Sequence, residues 1–279
     1  MSGVSSLNNR FPFSTVQLLD TPLSRQDQLA SFGLTNSLLT VTETTQQALL
    51  HFWTLPPTLI LGLKDKHLPD LSAALQSITK NGYDYFLRNS GGLCVVSDGG
   101  ILNVSLFLPQ AQTRLPIDAA YEIMKSLISR AFPQLTIASY EITHSYCPGD
   151  FDLSVDGRKF AGISQRRTPG GLVVMAYISG TGDQQFRGAL VRDFYQIGLA
   201  GQPNQWDFPV VWPESMANLD TLLAQPLTIA TAKKAILEAL VANDVTLDSK
   251  TLPAMIKTES FNHQYQNELQ RMVKRQRAL

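Results

Sequence analysis

The chain has 279 residues, 44% of them hydrophobic, and its 23 lysines and arginines are balanced by 23 aspartates and glutamates. That content supports a sizeable apolar core, while zero net charge gives no general pull toward a phosphate backbone or an anionic membrane, so neither partner is expected. Two cysteines do not make a disulfide framework and four scattered histidines (His51, His67, His144, His263) lack ligand spacing, so no metal and no cofactor is expected.

The opening residues, "MSGVSSLNNRFPFSTVQ", hold no basic segment followed by an apolar run, and no later stretch suits a bilayer, which makes a cytoplasmic location the default expectation. A short apolar run, "VQLLD", precedes a helical pattern through "TNSLLTVTETTQQALLHFW" that "LPPT" closes. Strand-like runs then dominate: "TLILGL", "YDYFLRN", "LCVVSD", "ILNVSLFLP", "ASYEIT", "FDLSV", "KFAGISQ" and "LVVMAYISG", separated by Gly, Pro and Asp clusters. Helical patterns interrupt them at "LPDLSAALQSITKNG" and "PIDAAYEIMKSLISRAF", the second with Pro116 at its first turn. After Gly182 the chain turns helical, in "DQQFRGALVRDFYQIG", "TIATAKKAILEALVAND" and a polar run over 260–277. Strands in consecutive clusters with helices grouped around them predict an α+β fold with a largely antiparallel mixed sheet and flanking helices.

Two segments carry candidate chemistry. In "FDLSVDGRKFAGIS", Asp156-Gly157 marks a type I′ hairpin. It sets Val155 opposite Arg158, Ser154 opposite Lys159, Leu153 opposite Phe160, Asp152 opposite Ala161 and Phe151 opposite Gly162. Phe151, Leu153 and Phe160 then form a core face, and Asp152, Ser154, Lys159 and Ala161 a polar face with a small floor. Lys159 there fits either a solvated strand lysine or a functional one.

Cys147 lies twelve residues before Lys159. A straight strand would leave it about 20 Å away, but Pro148-Gly149 is a turn dipeptide that can fold the sulfur back over the lysine face. A nearby ammonium would favour the thiolate, whereas a buried Cys147 would be a small hydrophobe. Cys94, in the apolar run "GGLCVVSD" with no basic neighbour, reads as core. In "LRNSGGLCVVSDGGILNVSLFLP", Gly91-Gly92 allows positive φ and close backbone approach, and Gly99-Gly100 reads as a hairpin turn. The segment fits neither common phosphate-loop pattern.

Taken together, "RNSGGLCVVSDGGILNVSL" and "FDLSVDGRKFAGISQRR" resemble the catalytic domains of the biotin and lipoate protein ligase superfamily, which are related to class II aminoacyl-tRNA synthetases. The chain departs from the ATP-using ligases at Asn89, Leu93 and Ser97, where their motif has arginine, glycine and histidine. With a cysteine just upstream of the hairpin lysine in "SYCPGDFDLS", it is similar to the octanoyl amidotransferases, which move octanoyl groups from the glycine cleavage H protein to E2 lipoyl domains of 2-oxoacid dehydrogenases. The resemblance implies that Cys147 is a nucleophile carrying an acyl-thioester, that Lys159 lowers its pKa and holds the acyl carbonyl, and that Arg88, Ser90, Gly91, Gly92 and Gly162 bind substrate. It implies no nucleotide.

Octanoyl transfer from acyl carrier protein to the H protein, ATP-dependent ligation, and a non-catalytic carrier-binding module are the competing readings. His144 is a candidate proton shuttle, and the C-terminal basic residues Arg271, Lys274, Arg275 and Arg277 a candidate attraction for acidic carriers. The resemblance spans 40–248, leaving 1–39 as an N-terminal extension packed on the core and 249–279 as a C-terminal helical extension.

Overall fold

The computed structural model describes residues 11–110 and 114–279. The chain enters on β1 (Thr15–Pro22), crosses through α1 (Ala30–Thr45) to β2 (Ala48–Thr54), then leaves for β3 (Thr58–Leu61), α2 (Leu71–Lys80), β4 (Asp84–Leu87) and β5 (Val95–Ser97). It returns on β6 (Ile101–Pro109), passes α3 (Ile117–Ala131), and adds β7 (Ala138–Ser139), β8 (Leu153–Val155), β9 (Arg158–Arg167) and β10 (Gly171–Ser179). It closes with α4 (Gln184–Leu199), α5 (Leu219–Leu223), α6 (Ile229–Val241), β11 (Thr246–Asp248), α7 (Thr251–Met255) and α8 (Glu259–Arg275).

Eight strands form one sheet in the order β11-β1-β2-β6-β10-β9-β8-β7, parallel across β11, β1 and β2 and antiparallel elsewhere. A second sheet, β4-β3-β5, stands apart from it. The architecture is the α+β, largely antiparallel one that the strand clustering predicts. Its central strand β6 is buried on both faces, which is why "ILNVSLFLP" is apolar almost throughout. Leu102, Val104, Leu106 and Leu108 pack with Met124, Leu127 and Ile128 of α3 and Ile236 and Leu240 of α6. The alternate row, Asn103, Ser105 and Phe107, faces the other way, toward α1 and the small sheet, and this second layer contains the site.

Three sequence expectations are corrected. The helix read through "TNSLLTVTETTQQALLHFW" stops at Thr45, because Gln46 takes φ 55° and returns its N–H to the Thr42 carbonyl. Ala48–Thr54 then pairs between β1 and β6 as a strand. Within α1, the hydroxyls of Thr35 and Ser37 bond to carbonyls one turn back, whereas the buried Thr42 hydroxyl has no partner among the described residues. The Gly99-Gly100 turn forms, but β5 and β6 diverge into different sheets instead of pairing.

The third correction concerns the β8–β9 hairpin. Asp156 and Gly157 both have positive φ, 50° and 74°, as a type I′ turn requires, and Ser154 does pair with Lys159. One step later a bulge intervenes, so Leu153 faces Ala161 and not Phe160. The polar face, with Asp152, Ser154, Lys159 and Ala161, is buried, which settles against a solvated strand lysine.

Residues 1–10 of the expected N-terminal extension lie outside the described residues; the rest of 1–39 supplies β1 and the first ten residues of α1. Thr40 falls inside α1 and Asp248 ends β11. Beyond it, α8 packs on α1 through Phe261 and Tyr265, and Gln276 hydrogen-bonds both the amide and the carbonyl of Leu87. Among the described residues no helix is long and apolar enough to cross a membrane.

Candidate active site

A cavity of about 530 Å³ opens between the second face of the large sheet, the small sheet and α1. Trp53, Asn103, Met175 and Tyr177 form its floor, Ile60 and Val95 one wall, and Phe32 and Asn36 of α1 another. Its volume lies within the usual range for small-molecule pockets, about 300–1,000 Å³. The runs "CVVSD" and "LNVSLFL" therefore do contribute to it, through Val95 and through Asn103, Val104 and Ser105. Trp53 settles its indole N–H on Ser105 Oγ at 3.3 Å.

Two loops meet at its mouth. The first, 88–92, carries Arg88, Ser90 and Gly91, all lining the cavity. It is stitched down by Leu63 N–H to the Ser90 carbonyl and Lys64 N–H to the Gly92 carbonyl, each at 3.3 Å. The approach is so close that a methyl group at Gly62 would lie 2.1 Å from the Gly92 carbonyl oxygen. Gly92 itself has φ 83°, and a methyl group there would sit 2.7 Å from the Arg88 guanidinium.

The second loop, 140–152, carries Cys147. Lys159, 5% exposed, reaches under this loop from β9 and forms an ion pair with Asp152 Oδ1 at 2.9 Å. The same ammonium donates to Ser145 Oγ at 3.1 Å and to the carbonyls of Tyr146 and Cys147 at 3.0 and 2.9 Å. Asp152 Oδ2 accepts from the amides of Ile142 and Gly149. Burial raises the Asp152 carboxyl above its usual range, against the lowering pull of Lys159 and these amides. Lys159 and Asp152 thus form an internal clamp on the backbone of the loop, and Cys147 is held in the left-handed region at φ 47°. A non-glycine residue rests there only when its surroundings impose it.

The expected proximity of Cys147 and Lys159 is therefore present, but its form differs from the one predicted. The lysine holds the cysteine's carbonyl, and none of its hydrogen bonds goes to the sulfur. It is Arg88 that points a guanidinium N–H at Cys147 Sγ, at 3.8 Å. Arg88 also closes its Nε and Nη2 on the Gly91 carbonyl, at 3.2 and 2.7 Å. Gly162, the remaining predicted residue, passes beside the clamp, its Cβ position 3.5 Å from Lys159 Cε.

His144 does not face the cavity: its ring stacks on Trp212 at 3.5 Å and its Nδ1 contacts the Val210 carbonyl. Of the C-terminal cations, Arg271 pairs with Glu268, which in turn accepts from Asn36 at the cavity mouth. Cys94 is fully buried as predicted. The sequence reading missed the Tyr146–Tyr177 pair, whose hydroxyls approach to 2.5 Å beneath the cysteine, and Arg166, which donates to Asn36 Oδ1 at 2.5 Å. Tyr177 and Arg166 were visible as alternate positions of strands facing the site; the Tyr146 contact depends on a loop path that no local pattern encodes. Among the described residues no group of three or more histidines, cysteines and carboxylates converges as a metal site would require.

Comparison with known proteins places this geometry in a lineage. The Lipoyl protein ligase A/B catalytic domain family matches residues 27–241. An octanoyl-[GcvH]:protein N-octanoyltransferase from Anoxybacillus flavithermus is 37% identical over 233 residues, covering 84% of this chain and 83% of that one. A lipoyl-[GcvH]:protein N-lipoyltransferase from Listeria monocytogenes is 42% identical over 179 residues, 63% of this chain and 64% of that one. A crystal structure of lipoate-protein ligase A bound with ATP superimposes with a TM-score of 0.69 at 17% identity, over 92% of this chain and 94% of that chain, and shares the fold. With a match over most of its length and relatives this close, the chain belongs to the lipoyl protein ligase A/B catalytic-domain family, alongside the octanoyl-[GcvH]:protein N-octanoyltransferases.

Proposed function

We propose that the protein transfers an octanoyl group from a lysine of the glycine cleavage H protein to a lysine of E2 lipoyl domains, through a thioester on Cys147 and without a nucleotide. The observation that carries this reading is the placement of Cys147: a cysteine on a left-handed turn, its carbonyl clamped from below, its sulfur facing a guanidinium at the mouth of a largely apolar cavity. The named substrate of the relatives, GcvH, supports the donor.

The chemistry balances. The Cys147 thiolate attacks the octanoyl amide carbonyl, a C–S bond forms, the C–N bond breaks, and the departing lysine amine takes up one proton. The acceptor lysine then attacks the thioester, a new C–N bond forms, the thiolate leaves and the incoming amine releases one proton. One lysine amide replaces another, so the exchange is close to isoenergetic and needs no ATP. Trp53, Val95 and Met175 offer the chain its apolar wall, while Arg88, Ser90 and Gly91 stand at the mouth where the carbonyl would sit, with Gly92 behind them beside Cys147. Two cysteines, both unpaired, suit a reducing cytoplasm.

The test mixes the protein with octanoylated H protein and unmodified lipoyl domain, omits ATP, and follows intact masses. An octanoyl adduct on Cys147 and transfer to the lipoyl domain are expected, and both vanish in Cys147→Ala. Transfer that survives Cys147→Ala would refute the thioester, and transfer that requires ATP would return the protein to the ligases.

A further inference from the structure

We infer that the segment 204–212 is the face on which the octanoyl-bearing carrier protein docks, with Trp206, Val210 and Trp212 as its anchors. The inference rests on the transfer reaction proposed above, in which the donor is a folded protein, and its test separates the failure of one from the failure of the other.

Three large apolar side chains stand out of this short stretch: Trp206, Val210 and Trp212 are 44%, 64% and 48% exposed. Their exposure does not come from a loose chain. Phe208 and Val211, which lie between them in sequence, are buried in the apolar cluster that α4 shares with the small sheet. The Asn204 side chain and the Phe208 backbone exchange two hydrogen bonds, each of 2.8 Å. Farther on, Met216 pairs with Lys159, and the Ala217 amide donates to the Lys159 carbonyl at 2.9 Å. A fixed segment that turns two indoles and a valine outward keeps an apolar surface that folding leaves uncovered, and such patches mark interaction sites. Tryptophan is among the side chains that dominate binding energy at protein interfaces.

The neighbours of this surface identify its occupant, because the segment touches both loops of the cavity mouth. On one side Trp206 stacks on His67, with ring centroids 3.6 Å apart and planes 6° from parallel, and Lys64 donates to the Asp207 carbonyl at 3.3 Å. Both partners belong to the 3-10 turn Leu63–His67, whose first amides hold the 88–92 loop. On the other side Trp212 stacks on His144, and its amide donates to the His144 carbonyl at 2.9 Å, three residues before Cys147. The imidazole that turns away from the cavity is thus a platform for an exposed indole. Stacking fixes both tryptophans before a partner arrives, so little side-chain freedom is lost on docking.

An octanoyl-lysine is one arm of a folded carrier, and its amide must reach Cys147 Sγ. The body of the carrier therefore rests within a lysine side chain's length of the mouth. The exposed residues of the cavity lining itself, Ser90, Gly91, Ser164 and Arg166, are small or polar. The adjoining ridge supplies the apolar contact that they lack, and the partner that fits it is a carrier with an apolar turn beside its octanoyl-lysine.

The test compares two octanoyl donors, octanoylated H protein and the small ester 4-nitrophenyl octanoate, with acylation of Cys147 followed by intact mass. It uses the wild type, Trp206→Ala, Val210→Asp and Trp212→Ala. Each substitution should raise the KM for octanoylated H protein on the order of 10-fold, with Trp212→Ala the largest, and leave the rate at saturating carrier unchanged. Acylation by the ester should stay at the wild-type rate in all three. Equal losses with both donors would make the ridge a support of the Cys147 loop and overturn the docking face. An unchanged KM in every variant, an effect confined to the lipoyl-domain acceptor, or a homodimer that Trp212→Ala dissolves would overturn it as well. A wild type that takes octanoyl from the ester and never from the H protein would instead sink the transfer reaction, and the docking face with it.

Discussion

The protein's two cysteines make a natural comparison, because both lie near glycine-rich turns and both have Arg88 within electrostatic reach, yet they occupy opposite environments. Cys94 is 0% exposed, its amide and sulfur both against the Tyr195 hydroxyl at 3.2 Å, which itself donates to Asp65. Burial pushes this thiol well above its ordinary range. Cys147 sits on a strained turn at a cavity mouth, with backbone carbonyls clamped and sulfur open to Arg88. The two sulfurs differ through the loops that carry them, and those loops are fixed by different devices: a buried hydrogen-bonded box in one case and a buried ion pair in the other.

The sharpest way to break this comparison is to exchange the roles. Cys147→Ala should abolish the acyl adduct and transfer, whereas Cys94→Ala should retain transfer and lose about 1 kcal/mol of stability, read by urea unfolding. Transfer that depends on Cys94 would erase the distinction. Next in size is the clamp. Asp152→Ala leaves Lys159 as a buried ammonium without its carboxylate and should cost about 3–5 kcal/mol, with slower alkylation of Cys147 but none of Cys94. An unfolding midpoint close to that of the wild type would mean that the pair does not hold the loop.

On the Cys94 side the effects are smaller. Tyr195→Phe removes the hydroxyl shared by Cys94 and Asp65 and should destabilise by about 1–3 kcal/mol while sparing transfer, since Tyr195 is not among the residues that line the cavity. Activity falling in step with the mutation would show that the two corners are coupled. The smallest expected effect is a pH slope. Burial raises Asp65 from 3.8 to about 6, against the lowering pull of Tyr195, the Gly62 amide, Arg88 and Lys64.

The folded state then holds this proton more tightly than the unfolded chain. The group's contribution to stability is greatest below the unfolded value and declines as pH rises from about 4 to about 6. Asp65→Asn lacks this decline, so its melting temperature relative to wild type should improve by roughly 4 °C between about pH 4.5 and about pH 7.5. A constant difference across that range would remove Asp65 from the account.

Much of this was legible in the sequence, and the misses share a cause. Strand clusters, the Asp156-Gly157 turn, the buried Cys94 and the turn that returns Cys147 toward Lys159 are local signals, and all appear in the structure. The end of α1 was misread because "QQALLHFW" satisfies a helical period as readily as a buried strand, and only pairing with β1 and β6 decides it. The contact that the cysteine sulfur makes with Arg88 is hidden from local spacing for a related reason. Lys159 is near in sequence and Arg88 is 59 residues away, and local spacing favours the nearer cation while the fold brings in the farther one.

The bulge between Leu153 and Ser154 has a practical consequence for redesign. It offsets the two arms of the β8–β9 hairpin by one residue just where Asp152 must turn inward to meet Lys159. A graft that carries only the cysteine loop onto another member of the fold would arrive without that offset and point its carboxylate at the wrong neighbour. The transplantable unit is the whole stretch from β7 through the middle of β9, in which Cys147, its clamp and the extra residue that aligns them travel together.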